Sequence, residues 1–307
     1  MSLDKLLLLS CRSPFLDDSK IYAPMANLYL KSYVEANTQT EVTLGDDTYE
    51  LTPEYFEPYD AVGLSIMTPQ REEALKILHT IKSAYPNKVV IAGGPHVKHY
   101  VGDIMKSNEP YDWLVPLDGE KPLVGILKGE TNFPHNYIRT AIKFEGDTPR
   151  RVIMDNINHP RVLVNIMSKD DIETAPRPDR TSKNAVDIIK GYHYKLGGRE
   201  STTMMTARGC PEQCAFCEDA MTPVKRSSIE NIRKELDDIK ALGYQGVYLF
   251  DDLFALSVER SREVGNELKA RDLIYRCNAQ ARYFTKWGED MAKMLSETGC
   301  HEIAFGA

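Results

Sequence analysis

Three cysteines stand close together at positions 210, 214 and 217 of the chain. They follow an apolar run and have the spacing CxxxCxxC within eight residues. Three thiolates so spaced can wrap one face of a metal centre, and closely spaced thiolates are the ligands that iron–sulfur clusters prefer. A 4Fe–4S cubane has four iron corners, so three cysteine ligands leave one iron open to a further ligand. The spacing therefore predicts a cluster with one accessible iron.

Other uses of clustered cysteines fit this spacing less well. Structural zinc sites usually have four ligands, often in CxxC pairs, and the sequence has no second CxxC. A redox dithiol would use Cys214 and Cys217 and leave Cys210 without a role. A non-catalytic iron–sulfur or zinc module, in which the metal serves stability or sensing, stays as the alternative hypothesis.

The residues around the thiols resemble the cluster loop of radical S-adenosylmethionine (SAM) enzymes. The resemblance lies in Arg208-Gly-Cys-Pro, in the CxxxCxFC spacing and in Phe216 directly before the last thiol. It implies that Cys210, Cys214 and Cys217 ligate a 4Fe–4S cluster whose open iron binds SAM. The reduced cluster would split SAM into methionine and a 5′-deoxyadenosyl radical. That radical would functionalise a C–H bond by methyl transfer, cyclisation or a similar reaction.

Four further residues are expected to lie near SAM, and no residue of the chain is assigned as catalytic. Asp251 and Asp252 follow a strand predicted at residues 247–250, and one or the other is expected to hold the ammonium of SAM, to which a carboxylate is complementary; the alternative is capping of the next helix. Phe216 is expected to shield the cluster near the adenine, although an aromatic residue there also suits a plain core. Arg282 is expected to meet the SAM carboxylate, with an ordinary salt bridge as the alternative.

Composition limits the class of protein. The 307 residues suffice for about two domains, and the net charge of −7 argues against nucleic-acid binding. Six scattered or clustered cysteines give no disulfide framework, which favours a reducing, cytoplasmic location. No apolar run approaches the ~18 residues of a membrane span. The resemblance adds two partners: an electron donor such as flavodoxin or ferredoxin, and a small-molecule or peptide substrate.

Residues 1–130 alternate apolar runs with helical periodicity. Leu6–Ser10 and Ala61–Ser65 are predicted strands, and Ala74, Ile77, Leu78 and Ile81 recur at helical spacing. This alternation predicts an α/β domain with a doubly wound, Rossmann- or flavodoxin-like parallel sheet. Ligands of such sheets bind beyond the carboxyl ends of the strands.

Two segments of this domain, Val62-Gly-Leu-Ser and Val90-Ile-Ala-Gly-Gly-Pro-His, resemble the cobalamin-binding-type domain of one large radical SAM subclass. The resemblance implies a cobalamin contact at Gly93 and Gly94. The D-x-H-x-x-G motif of cobalt-ligating domains is absent, and the surroundings of His96 do not match it. Two alternatives stay open: cobalamin bound without a protein ligand, or the fold kept without the cofactor.

Residues 131–200 are expected to form a connector with a hairpin around residues 145–149 and a proline-rich crossing at residues 175–180. From residue 201, βα units of roughly thirty residues predict the first half of a TIM-like (β/α) barrel. Ser227 and Glu230 are predicted to form a capping box. The fourth strand, Glu302–Phe305, reaches the end of the chain. We therefore expect the N-terminal portion of a longer protein, truncated within the barrel, or one half of a split one.

Overall fold

The computed structural model describes residues 3–15, 17–146, 148–217 and 219–306. The chain divides into two compact units, Met1–Ser19 with Ala26–Met167, and Lys20–Met25 with Ser168–Ala307. The region of the predicted hairpin therefore belongs to the first unit and the proline-rich segment to the second. Among the described helices, none is long and apolar enough to cross a membrane.

The first unit is an α/β fold. Its strands are β1 (Lys5–Ser10), β2 (Glu41–Gly45), β3 (Ala61–Ser65), β4 (Val89–Gly93) and β5 (Trp113–Val115). Its helices are α1 (Met25–Asn37), α2 (Pro53–Phe56), α3 (Arg71–Ala84), α4 (Pro95–Lys106) and α5 (Glu120–Lys128). The strands are all parallel, in the order β2-β1-β3-β4-β5. The predicted doubly wound parallel sheet is confirmed.

Apolar periodicity explains most of these elements. The leucines of β1 are almost fully buried, as expected of a strand covered on both faces. The apolar residues predicted for α3 form its buried stripe. Helix α4 was not predicted, because His96, His99 and Tyr100 interrupt its apolar pattern. It buries Val97, Val101 and Ile104 nonetheless, and its backbone departs from helical geometry at Tyr100.

The first unit also contains an antiparallel hairpin. Strands β6 (Asn136–Glu145) and β7 (Thr148–Asn158) pair along their whole length. The Tyr137 hydroxyl donates a hydrogen bond of 2.8 Å to the carbonyl of Lys98, which joins the base of the hairpin to α4.

The second unit begins with helices α6 (Lys169–Thr174) and α7 (Lys183–Lys190). Its strands are β8 (Lys195–Leu196), β9 (Arg199–Met204), β10 (Ala207–Arg208), β11 (Lys225–Arg226), β12 (Gly246–Leu249), β13 (Ile274–Gln280) and β14 (Cys300–Gly306). Its later helices are α8 (Ile229–Ala241), α9 (Val258–Lys269) and α10 (Ala281–Glu297).

Its main sheet has the order β14-β13-β12-β9-β8. Strands β9, β12, β13 and β14 are parallel neighbours, and β8 adds an antiparallel edge to β9. Because α8, α9 and α10 each connect one parallel strand to the next, this is the arrangement of the first half of a (β/α) barrel, and the predicted fold class is confirmed.

The N-cap of α8 and the proline-rich segment of this unit differ from what the sequence predicted. Helix α8 is capped by Ser228, whose hydroxyl accepts the backbone N–H of Asn231. The capping box predicted from Ser227 and Glu230 is therefore wrong by one residue. The end of the proline-rich segment is held by Arg180, a fully buried side chain that donates to Glu235 (2.8 Å) and to the carbonyl of Thr203 (2.5 Å).

Candidate functional site

The three predicted cluster ligands lie on one loop between β10 and β11, beyond the carboxyl end of β9. The short antiparallel pair of β10 with β11 closes the neck of this loop. Cys210 is buried, whereas Cys214 and Cys217 are partly exposed. The N–H of Cys217 donates to the carbonyl of Cys214 at 3.0 Å, which forms a tight turn. We call residues 209–222 the cysteine loop.

The donor chemistry of the loop suits an iron–sulfur cluster. Burial is the main reason that the pKa of the Cys210 thiol is raised, and the nearby carboxylates of Glu212 and Asp252 add to the effect. In the part of the chain that the structure describes, no three His, Cys, Asp or Glu side chains converge on a metal-binding point. Cys210, Cys214 and Cys217 therefore share one loop, and their sulfurs do not converge on a single point. Three soft thiols carried on one loop match the ligand preference of iron–sulfur clusters.

Asp251 holds the start of the loop. Its carboxylate is buried and accepts the backbone N–H groups of Thr206 (2.5 Å) and Ala207 (3.1 Å), together with the Thr206 hydroxyl. Burial raises the pKa of Asp251 to about 6. The alternative role of capping the next helix is wrong, since α9 has Ser257 as its N-cap.

Asp252 is the exposed member of the predicted pair. Its Oδ2 accepts the N–H of Gly209 at 2.7 Å, directly before Cys210. Gly209 has φ +96°, and a Cβ there would lie 2.3 Å from the carbonyl oxygen of Pro223. Only glycine fits this approach. The pair of carboxylates is therefore divided between a buried residue that anchors the loop and an exposed one beside it.

The other two residues with predicted SAM roles have different surroundings. Arg282 forms an ion pair of 2.7 Å with Glu212 of the cysteine loop, and its guanidinium lies over the ring of Tyr283. Phe216 is 86% exposed, so its predicted shielding of a cluster stays a prediction.

Sequence reasoning missed three residues that hold the loop in place: Glu212 within it, and Gln280 and Tyr283, which contact it. Glu212 is 3% exposed and accepts the Tyr283 hydroxyl at 2.6 Å. The Nε2 of Gln280 lies 3.5 Å from the sulfur of Cys214. Gln280 ends β13 and Tyr283 is in the first turn of α10, and that position at the carboxyl end of a barrel strand was the available signal.

In the first unit, Gly93 and Gly94 lie at the carboxyl end of β4. Gly94 has φ +89°, and a Cβ there would lie 2.8 Å from the backbone nitrogen of Ile66. Ile66 also donates to the carbonyl of Gly93 (3.0 Å) and accepts the N–H of His96 (2.9 Å). The glycines thus allow the loop after β3 to pack on the turn after β4, which is a requirement of the fold itself.

His96 is buried beside this turn. Its Nδ1 lies 3.4 Å from the Thr68 hydroxyl, and its ring packs near that of Tyr100. Its Nε2 is buried without a hydrogen-bond partner among the described residues. Burial is the main cause that lowers the pKa of His96. The fold thus disfavours the charged form of His96.

Comparison with known proteins gives several relatives, although no protein-family model matches the chain. An uncharacterized methyltransferase of Pyrococcus horikoshii is 25% identical over 295 residues, which cover 92% of this chain and 60% of the relative. The cobalamin-dependent radical SAM methyltransferase TokK of Streptomyces tokunonensis is 23% identical over 80% of this chain and 36% of TokK.

A solved structure matches the whole chain. The radical SAM methyltransferase TsrM of Kitasatospora setae, determined with cobalamin and a [4Fe-4S] cluster bound, superposes with a TM-score of 0.69 at 18% identity, over 100% of this chain and 59% of TsrM. These relatives confirm the predicted resemblance to radical SAM enzymes with a cobalamin-binding-type domain. The chain spans between about one third and three fifths of the length of these proteins.

Proposed function

We propose that this chain is the cluster- and cobalamin-binding part of a radical SAM methyltransferase. The cysteine loop carries this proposal, because it presents three thiols at the carboxyl end of a barrel strand beside an exposed carboxylate. The relatives support methyl transfer, since two are named methyltransferases and the solved structure is of a third.

In this proposal Cys210, Cys214 and Cys217 hold three irons of a 4Fe–4S cluster. Asp252 is the residue of the carboxylate pair that meets the ammonium of SAM, because it is exposed whereas both oxygens of Asp251 are occupied by Thr206 and Ala207. When bound, the reduced cluster supplies the electron that cleaves SAM, and cobalamin supplies a carrier for the methyl group. The chain itself positions the cofactors and excludes water.

Cobalamin would bind at the carboxyl end of the first unit's sheet. Three features support a site without a protein ligand to cobalt: the missing ligand motif, the glycine backbone at residues 93–94, and the burial of His96. A flavodoxin- or ferredoxin-like electron donor, a small-molecule or peptide substrate and a cytoplasmic location belong to the same proposal.

The proposal is tested by anaerobic reconstitution with iron and sulfide, followed by hydroxocobalamin, SAM and dithionite. We expect the electron paramagnetic resonance spectrum of the reduced cluster to change when SAM is added, because SAM binds the open iron. Asp252→Asn should weaken the effect of SAM while the iron content stays unchanged.

A different outcome would favour the non-catalytic alternative. If the chain loads a cluster whose spectrum does not change when SAM is added, the metal serves stability or sensing. If the chain takes up one zinc and no iron under the same conditions, the cluster assignment is wrong.

A further inference from the structure

One acidic residue of the cysteine loop is buried where its neighbours are not. Between residues 211 and 217, Glu212 alone is buried, while Pro211, Gln213, Ala215 and Phe216 are exposed. Burying a carboxylate is unfavourable unless it is paired and hydrogen-bonded. Oε1 of Glu212 receives both partners, the Tyr283 hydroxyl at 2.6 Å and the Arg282 guanidinium at 2.7 Å. The first turn of α10 thus provides the cation and the hydrogen-bond donor that the buried carboxylate requires.

Apolar packing joins the same two segments. Cys210, Leu253 and Tyr283 form a small buried cluster, with Leu256 and Trp287 packed against it. Tyr283 therefore contacts the loop through its ring and through its hydroxyl. Because Cys210 belongs to this cluster, the first predicted iron ligand is held by the residue that also holds Glu212.

Backbone hydrogen bonds extend this anchor to the far side of the loop. The N–H of Met221 donates to the carbonyl of Glu212 at 2.7 Å, and the N–H of Thr222 donates to that of Cys210 at 2.9 Å. The Thr222 hydroxyl accepts the N–H of Cys210. Both ends of the cysteine loop are thus tied to the segment that contains Glu212.

The residue directly before α10 contacts a second thiol of the cysteine loop. Gln280 is the last residue of β13, and its amide Nε2 lies 3.5 Å from the sulfur of Cys214. A neutral amide N–H donates to a thiolate without competing for iron. Hydrogen bonds to cluster sulfurs stabilise the more negative, reduced state and so raise the reduction potential.

We propose that the turn from Gln280 to Tyr283 positions the cysteine loop, with Glu212 as the buried anchor and Gln280 as a hydrogen-bond donor to Cys214. The proposal rests on the proposed function for the identity of the cluster, but the anchor itself exists in the metal-free chain. It assigns Arg282 to the loop as a positioning residue, in place of its predicted contact with SAM.

The anchor is tested on the metal-free chain by following the alkylation of each cysteine with iodoacetamide and mass spectrometry. Glu212→Gln should speed the labelling of Cys210 by about tenfold, because losing a charged anchor opens the loop locally. Tyr283→Phe, which removes one hydroxyl, should give a smaller increase. Buried Cys277 reports the fold and should not change. The matched control Glu289→Gln alters an exposed acid of α10.

Unchanged labelling of Cys210 in both variants would overturn the anchor. If Glu212→Gln speeds the labelling of Cys277 as much as that of Cys210, this variant has unfolded, and the Tyr283→Phe variant decides. Faster labelling of Cys210 but not of Cys277 in Tyr283→Phe supports the anchor. Unchanged labelling of Cys210 in Tyr283→Phe contradicts it. This measurement needs no cluster. A chain that never loads iron would therefore contradict the proposed function and leave the anchor to be judged separately.

Gln280 is tested on the reconstituted chain by redox titration. Gln280→Leu should shift the midpoint potential of the cluster to a lower value with unchanged iron content, because the N–H donor to Cys214 is lost. The control Gln213→Leu removes an exposed amide of the same loop. An unchanged potential in Gln280→Leu, or an equal shift in both variants, would contradict the role of Gln280.

Discussion

At the carboxyl end of the first unit's sheet, the residues after β3 and β4 bind each other. The N–H of Ile66 donates to the carbonyl of Gly93, and the carbonyl of Ile66 accepts the N–H of His96. His96 carries the only ionisable side chain of these three residues, and it is buried. At the carboxyl end of the second unit's sheet, residues at or beyond the ends of β9, β12 and β13 present thiols, an exposed carboxylate and an amide. The turns after β3 and β4 of the first unit thus offer backbone and shape, whereas the carboxyl end of the second unit's sheet offers reactive side chains.

If the proposed function is correct, this difference indicates how each end would hold its cofactor. A large cofactor with its own metal needs space and an unhindered backbone, so the first end can dispense with ligand side chains. A cluster must take its ligands from the protein. We therefore expect substitutions at the second end to abolish binding, and substitutions at the first to affect stability more than chemistry.

The largest effect is expected at Cys214. Cys214→Ala should abolish the brown colour and reduce the iron from about four per chain to near none, because two thiols do not hold a cubane. Iron and sulfide counting after anaerobic reconstitution measures this. Cys300→Ala, outside the loop, should keep the iron. An unchanged iron content in Cys214→Ala would show that this thiol is not a cluster ligand, and the contrast between the two ends would then lose its basis.

The next effect concerns pH and Asp251. The pKa of this aspartate is raised from 3.8 to about 6 in the fold, so its contribution to stability is present below about pH 4 and lost as pH rises through 6. Relative to Asp251→Asn, the wild type should lose roughly 3 kcal/mol of unfolding free energy across that range.

Urea unfolding of the metal-free chain between pH 4 and pH 7.5 measures the effect of Asp251→Asn. The exposed Asp252→Asn serves as the control and should follow the wild type. Parallel stability curves for wild type and Asp251→Asn would show that the buried carboxylate titrates normally.

A smaller effect is expected from Gly94→Ala in the first unit. It places a Cβ at φ +89° and 2.8 Å from the nitrogen of Ile66, which should cost about 1–3 kcal/mol. Gly93→Ala is the matched control, since its Cβ would meet only the carbonyl oxygen of Val115 at 3.3 Å. Equal stability of the two variants would contradict the close packing of the loop after β3.

The smallest effect is expected from His96→Ala on cobalamin. Because His96 is buried and lacks a ligand motif, the visible spectrum of bound hydroxocobalamin should be the same in wild type and variant. A histidine-ligated spectrum in the wild type that disappears in His96→Ala would give the first end a ligand side chain. That result would remove the contrast between the two ends.

Local patterns determined much of this protein from the sequence alone. Three features are each contained in one short segment: the leucines of β1, the apolar stripe of α3 and the CxxxCxxC spacing. Within such a segment, the periodicity or the ligand spacing can be seen directly in the sequence. From these features follow the doubly wound sheet, the half barrel and the thiol loop. Elements with mixed patterns, such as α4, were missed because tertiary burial overrode their polar residues.

Only the tertiary structure decided which side chains serve which partner. Asp251 and Asp252 are adjacent and chemically identical, yet one is buried against Thr206, 45 residues away, and the other is exposed. Glu212 meets Tyr283 across 71 residues. The physical reason is that burial, hydrogen-bond partners and pKa depend on what the fold packs around a group, and sequence spacing carries no measure of contacts between distant segments.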